Sequence, residues 1–414
     1  MLEIVEPYEG DPILSLNDAF NRDPREGRVN LSVGVYFDDA GRIPVMEAVR
    51  HAETARLGTI GPRPYQPLEG ALNYRAAVQV LVFGATHEAV ESRRIATAQT
   101  LGGSGALRLG ADFLHRYFPK SGVWISNPSW ENHRAIFEAA GFPVQTYPYF
   151  DAATGGLDFD GMMGTLCELA PESIVVLHAC CHNPTGVDLT REQWAKVFAV
   201  VAERRLLPFI DMAYQGFGAG LDDDAWAVRT LADVRQGGRP MPMFVANSFS
   251  KNFSLYGERC GALSVVCADE EQAQRVTGQL ASTVRRIYSG PPTHGGQVIT
   301  SVLNSNELRA EWQAELDAMR GRIKRMRSEL HDGLQKELHK RGAEDRAANL
   351  LSSLIEQRGM FSYTGLSAQQ VDTLRDEYAV YLVRSGRLCV AGLNDGNVGR
   401  VAVAMANVVT AALS

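Results

Sequence analysis

No stretch of the 414-residue chain stays apolar for the roughly 18 residues of a membrane span. Its start, MLEIVEPYEGDPIL, has neither the basic segment nor the apolar core of a secretory leader. A cytoplasmic protein with no membrane partner is therefore expected. No block of lysine and arginine interrupts a net charge of −7, and none supplies the phosphate contacts of a nucleic-acid partner. The six cysteines include one adjacent pair, Cys180 and Cys181, but no C-x-x-C spacing and no histidine at a ligand interval. That argues for reduced thiols and no metal. Internal repeats and low-complexity segments are also lacking, which excludes solenoids and disordered linkers.

What the chain does have is core material: 45% of its residues are hydrophobic. At this length it can bury more than one core. The runs GVWIS (122–126), SIVVLHA (173–179), LPFIDMA (207–213), MFVANSF (243–249) and ALSVVCA (262–268) are short, partly β-branched and bounded by Gly, Pro, Asn or Ser. They are predicted to be buried strands. Helical patterns lie between most of them, as at 104–115 and 190–204. Such alternation predicts an α/β fold with a mainly parallel sheet covered on both faces.

A long helix is predicted over about 306–340, where Trp312, Leu316, Met319, Ile323, Met326, Leu330 and Leu334 form one apolar stripe. Its length suggests a bridge between domains. Segments MFSYTGL and LCVAGL beyond it carry strand signals. The division read from the sequence is 1–44, an N-terminal arm and part of a small domain; 45–310, a large domain; and 311–414, the interdomain helix and the small domain. The first ten residues read as an extended arm, and 338–349 (LHKRGAEDRAAN) matches no functional pattern.

The segment NSFSKNFSLYGERCG (247–261) is the richest in chemistry. Lys251 follows a strand among Ser248, Ser250 and Ser254, with Arg259 eight residues on. Hydroxyls and a guanidinium suit a phosphate dianion. A lysine beside that phosphate can react with an aldehyde if its pKa is depressed. Gly102 to Ala106, GGSGA, opens a predicted helix, and its backbone N–H groups would add anion donors.

This segment resembles the cofactor-lysine block of class I aminotransferases. LGGSGALRLGADFL (101–114), NPSWENH (127–133), HACCHNPTGVDLT (178–190), IDMAYQGFGAG (210–220), YSGPPTHG (288–295) and SGRLCVAG (385–392) are similar to further blocks of that family, in the family's order. The resemblance spans nearly the whole chain and is nearest to the bacterial aromatic-amino-acid aminotransferases, sisters of the aspartate aminotransferases. It implies the fold type I of enzymes dependent on pyridoxal 5′-phosphate: a large domain around a mainly parallel sheet and a smaller α/β domain.

The resemblance also assigns roles. Lys251 would carry the cofactor as a Schiff base, Asp211 would pair with its ring nitrogen, and Tyr214 and Asn183 would bond its phenolic oxygen. Trp130 would stack on the ring. Gly103, Ser104, Ser248, Ser250 and Arg259 would hold the phosphate, joined by Tyr65 from a second subunit of a homodimer. Arg387 would clamp the substrate α-carboxylate, Gly34 would approach the substrate, and Arg285 would meet a distal carboxylate from across the dimer. His133 and His178 stand near Asp211 in the family's pattern, but a structural histidine explains each equally well, and both stay outside the predicted site.

Transfer of an amino group from tyrosine or phenylalanine, and from aspartate, to 2-oxoglutarate is the activity implied. Ile43, Phe37, Ser104 and Gly290 are small or apolar where aspartate-preferring relatives carry larger or more polar groups, which favours aromatic side chains. Aspartate aminotransferase is the alternative. A lyase or decarboxylase of the same fold would have no use for two substrate arginines. A non-catalytic regulator would be expected to lose a catalytic residue, and none is missing.

Overall fold

Apolar, β-branched segments too short for helices build the centre of the larger of two compact units. In the computed structural model the described residues are 2–8, 10–58, 61, 62 and 64–411, with Pro12 and Arg346 described by backbone alone. One unit comprises Pro44–Asp151 and Gly156–Gly321; the other comprises Met1–Ile43, Ala152–Gly155 and Arg322–Ser414.

The central sheet of the large unit has seven strands: β1 (Ile95–Leu101), β2 (Val123–Asn127), β3 (Val144–Pro148), β4 (Ile174–His178), β5 (Leu207–Met212), β6 (Met243–Ser248) and β7 (Cys260–Val266). Their order across the sheet is β1-β7-β6-β5-β4-β2-β3. All pairs are parallel except those of β7, which is antiparallel to both β6 and β1. Strands β4 to β7 are buried at every position, as expected of a sheet covered on both faces.

Two strands of this sheet were not foreseen. β1, IATAQTL, has alanines and threonines where an apolar run would signal a strand, and pairing with β7 along its whole length holds it. β3, VQTYP, is a half-exposed edge with little apolar content.

The helices named below are α1 (Gly102–Tyr117), α2 (Glu131–Ala139), α3 (Arg191–Glu203), α4 (Leu221–Asp233), α5 (Glu270–Ile287) and α6 (Asn306–His339). The predicted stripe of α6, from Trp312 to Leu334, is buried throughout, with no member more than 6% exposed. The division between units falls within this helix, after Gly321.

Topology places one edge of the sheet apart. The parallel strands end there, at Leu101, Asn127, His178, Met212 and Ser248, and the reversed strand β7 begins there at Cys260. Loops that follow strand ends in such sheets gather ligand-binding groups.

In the smaller unit β8 (Phe361–Tyr363) pairs antiparallel with β9 (Arg387–Cys389), with Tyr363 opposite Arg387. Val29 and Asn30 pair in parallel with Val380 and Tyr381. Residues 2–4 form a 3-10 turn rather than a fully extended arm, and Leu2, Ile4, Val5 and Tyr8 are exposed. The segment 338–349 closes α6, then turns through Glu344–Ala347 with Ala343 and Ala347 buried. Among the described residues no helix is long and apolar enough to cross a membrane. No disulfide joins the six cysteines.

Candidate active site

Asp211 lies near the end of β5, opposite His178 of β4 in the parallel register. It is buried, and its Oδ2 accepts a 2.9 Å hydrogen bond from Nε2 of His133 on α2. Burial pushes the carboxyl up, but the His133 bond, reinforced by attraction to His133, His178 and Lys251, brings it below its ordinary value of 3.8. Its other oxygen makes no hydrogen bond among the described residues. An ionised, buried carboxylate with one open oxygen calls for a cationic donor in front of it.

The imidazole behind it is fixed in turn. Ser129 Oγ lies 2.9 Å from His133 Nδ1, and the Asp211 carboxylate, which only accepts, calls for the ring hydrogen on Nε2. Trp130 stands at the start of α2 with its ring edge-on to His133, centroids 5.3 Å apart. His178 lies 5.1 Å from the His133 ring and is buried. Burial, then the nearby His182 and His133, hold its pKa well below the usual 6.5, so it is neutral at pH 7. Neither of its ring nitrogens has a partner among the described residues. The sequence left His133 and His178 unassigned; spacing alone could not reveal that a neighbouring strand and a helix start both converge on Asp211.

After β4 the chain turns sharply, and Asn183 is buried within that turn. His182 fastens it: Ser126 Oγ is 2.9 Å from Nε2, Thr185 Oγ1 is 2.8 Å from Nδ1, and the ring stacks on Tyr149 at 4.0 Å. Backbone N–H groups of Cys181 and His182 donate to Asp188 at 2.8 and 2.9 Å. Asn183 is thus held on a braced loop rather than a mobile one.

Lys251 sits on the loop between β6 and β7, half-buried, with Nζ 4.8 Å from the centroid of the buried Tyr214 ring. The loop is pinned on either side of it. Phe249 N–H donates to the Cys260 carbonyl at 3.0 Å, and Trp312 Nε1 donates to the Asn252 carbonyl at 2.6 Å.

Next to the lysine is an anion cradle. Arg259 Nη1 donates to Ser250 Oγ at 3.3 Å, and Ser248 Oγ accepts from the Ser250 N–H at 3.3 Å. Both serines are buried, while Arg259 is exposed. Helix α1 opens against them with no side-chain cap on its first N–H groups, and Ser104 lies in that first turn. Gly102 has φ +69°, and a Cβ there would lie 2.6 Å from Arg259 Nη2; one at Gly103 would lie 3.1 Å from Ser248 Cβ. Side chains would fill the space between helix start, serine and arginine, so glycine keeps it open. The donors converging there suit a phosphate dianion.

Two predicted residues of the large unit stand apart from this cluster. Tyr65 is fully exposed. Arg285 is exposed in the last turn of α5, and its guanidinium has no partner among the described residues. The smaller unit holds Gly34 and Arg387. Arg387 is buried, donates from Nη2 to the Ser32 carbonyl at 2.7 Å, and lies over the Phe361 ring at 4.6 Å. A Cβ on Gly34 would come 2.9 Å from that same ring. Gly34, Phe361 and Arg387 are therefore one packed group.

Comparison with known proteins gives the family. The family model for aminotransferase class I and II matches residues 26–405. The chain belongs to that family. It is 55% identical over 406 residues to a tyrosine aminotransferase of Klebsiella pneumoniae, covering 98% of this chain and 99% of the relative. The crystal structure of an aromatic amino acid aminotransferase from Burkholderia cenocepacia J2315 is similar at 60% identity and a TM-score of 0.93, with 99% of each chain covered. The aromatic-amino-acid aminotransferase of Burkholderia pseudomallei, crystallised covalently bound to pyridoxal phosphate, is 51% identical with a TM-score of 0.94, again over 99% of each chain.

Proposed function

We propose that this aminotransferase moves the amino group of tyrosine or phenylalanine, and of aspartate, to 2-oxoglutarate, using pyridoxal 5′-phosphate attached to Lys251. The observation that carries the reading is the Asp211 carboxylate, buried yet held ionised by His133, with one oxygen open beside Lys251. When bound, pyridoxal phosphate supplies an electron sink that acidifies the α-proton of an amino acid. Asp211 is assigned to keep the ring nitrogen protonated. Tyr214 and Asn183 are assigned to its phenolic oxygen and Trp130 to its face. Gly103, Ser104, Ser248, Ser250 and Arg259 are assigned to its phosphate. The orphaned nitrogens of His178 and the glycine-lined cradle both support a fit to such a group.

Lys251 Nζ then serves as the base that takes the α-proton and the acid that returns it. Arg387 binds the α-carboxylate through the planar fork that matches it. Arg285, from a second subunit, meets a distal carboxylate when aspartate or 2-oxoglutarate is present and gives way to an aromatic ring otherwise. The second subunit would also supply Tyr65. Exposure of Tyr65, Arg285 and the apolar Leu2, Ile4, Val5 and Tyr8 supports a homodimer, since groups of this kind find cover in an interface. Because both half-reactions use one site, the kinetics are ping-pong. We place the enzyme in the cytoplasm.

The test is kcat/KM for tyrosine, phenylalanine and aspartate with 2-oxoglutarate, with cofactor absorbance followed throughout. Tyrosine or phenylalanine at or above aspartate supports the aromatic assignment. Aspartate ahead by orders of magnitude makes the protein an aspartate aminotransferase.

A further inference from the structure

At the opposite edge of the sheet from Lys251, the large unit has a cavity that the transamination chemistry does not use. Its volume is about 680 Å3, and it lies between the end of α1, the first half of α5, and the ends of β5, β6 and β7 away from the cofactor residues. Phe113, Tyr117, Phe118 and Phe244 all line it. The rings of Phe113 and Tyr117 are 4.8 Å apart, and those of Phe113 and Phe244 are 5.9 Å apart. Its floor is an apolar core cluster to which Phe113, Phe244 and Val265 belong.

Two residues of α5 give the cavity its character. Gly278 lines it from the middle of the helix, and a Cβ there would meet nothing within 4 Å. Glycine inside a helix costs about 1 kcal/mol relative to alanine. Here no close neighbour demands it, and its effect is to leave the space open. The half-buried Gln279 also lines the cavity, and its side-chain amide makes no hydrogen bond among the described residues. The single formal charge at the rim, Arg275, is committed to Glu271. Size and lining match small-molecule pockets of roughly 300–1,000 Å3 with apolar walls and few placed polar groups.

We propose that this cavity is a second small-molecule site, taking a neutral, planar aromatic molecule with one hydrogen-bond donor. The ring lies among the four aromatic side chains, where edge and face contacts are both on offer. The donor meets the carbonyl oxygen of the Gln279 amide. A charged ligand is disfavoured because the rim cation is already neutralised. Helix α1 reaches from the cradle at Gly102 to the cavity at Tyr117, 16 residues or about 24 Å, so the ligand would be remote from the substrate.

Indole is a suitable probe, with benzothiophene as the isostere that lacks the N–H. Titration of the cofactor-loaded enzyme should show saturable indole binding that a substrate amino acid does not displace. In Gly278→Leu, whose side chain grows into the open space, binding should weaken about tenfold or more, while kcat/KM for transamination stays within about twofold. Thermal unfolding of this variant should match or exceed that of the wild type, because leucine is the better helix former. Gln279→Leu should reduce the preference for indole over benzothiophene to within about twofold. Absence of saturable binding, displacement by substrate, or undiminished binding in Gly278→Leu would overturn the proposal.

Discussion

His133 and Asp211 share a 2.9 Å hydrogen bond in which both partners are buried, and the rest of the site is organised around it. A carboxylate in that position has two competing fates. Burial favours its neutral form; the His133 bond favours the anion, and the anion prevails. A bond to a charged group in such surroundings contributes about 1.5–3 kcal/mol.

Removing the imidazole while keeping its bulk tests that balance. In His133→Phe, burial of Asp211 is opposed only by His178 and Lys251, and its carboxyl pKa rises. The folded wild-type pKa is depressed, so the stability linked to Asp211 is present at neutral pH and is lost as pH falls below about 3.8. In the variant that contribution shrinks or reverses, so the acid-side loss of stability is smaller; the carboxylate charge is lost at higher pH, and cofactor affinity at neutral pH falls roughly ten- to hundredfold. Cofactor release followed by absorbance across the acid range measures both effects. An unchanged acid profile would mean that His133 only fills space.

Lys251→Ala should reduce turnover at least about ten-thousandfold, since it removes both the proposed attachment point and the proposed acid–base group. Cofactor should still bind through the phosphate cradle, without the absorbance of a lysine-linked form. Spectra and single-turnover rates of the purified variant separate the two losses.

Gly102→Ala addresses the cradle. The backbone there has φ +69°, and the added Cβ would lie 2.6 Å from Arg259 Nη2. Left-handed geometry alone costs a non-glycine residue about 1–2 kcal/mol. Cofactor affinity should therefore fall about tenfold or more, while kcat at saturating cofactor changes by less than about threefold. Equilibrium titration of the apoenzyme with cofactor gives the first number and steady-state rates the second.

Arg387 and Arg285 should separate by substrate. Arg387→Lys removes the fork proposed to hold every α-carboxylate, so kcat/KM should fall about a hundredfold for tyrosine and aspartate alike. Arg285→Leu should lower kcat/KM for aspartate by a similar factor and leave tyrosine nearly unchanged. If Arg285 acts across a dimer, mixing Arg285→Leu subunits with Lys251→Ala subunits restores aspartate activity, up to half that of wild type. That restoration arises because each hybrid contains one site with both native residues. No recovery in hybrids verified by mass would place Arg285 with its own subunit's site.

Much of this architecture was legible in the sequence because strands buried on both faces must be continuously apolar. SIVVLHA and MFVANSF carry that pattern and are strands. IATAQTL does not, and its strand is a product of pairing with β7 along its length, which no local window contains. The reversal of β7 was equally hidden, because an apolar run has no direction. At the site, residues clustered in sequence such as Ser248, Ser250, Lys251 and Arg259 were readable. His133 and His178 were not, since their value depends on where a helix start and a strand end meet Asp211. The stretch 338–349 looked featureless because, beyond Leu338 at the end of α6, its burial rests on two alanines.

The reversed strand has a further consequence. Ser248 pairs with Gly261 where β6 and β7 meet, so the segment bearing Lys251 and Arg259 is a closed loop tied at its base by the sheet itself. Its contour length is thereby set by the distance between amine and phosphate. Over evolutionary time such a loop can exchange side chains at outer positions such as Leu255 and Glu258, while Asn252 and Phe253 are buried, yet it can hardly gain or lose a residue. A single insertion would move the amine relative to an arginine that the ladder keeps in place. Among descendants of this protein, the loop's length should outlast its spelling.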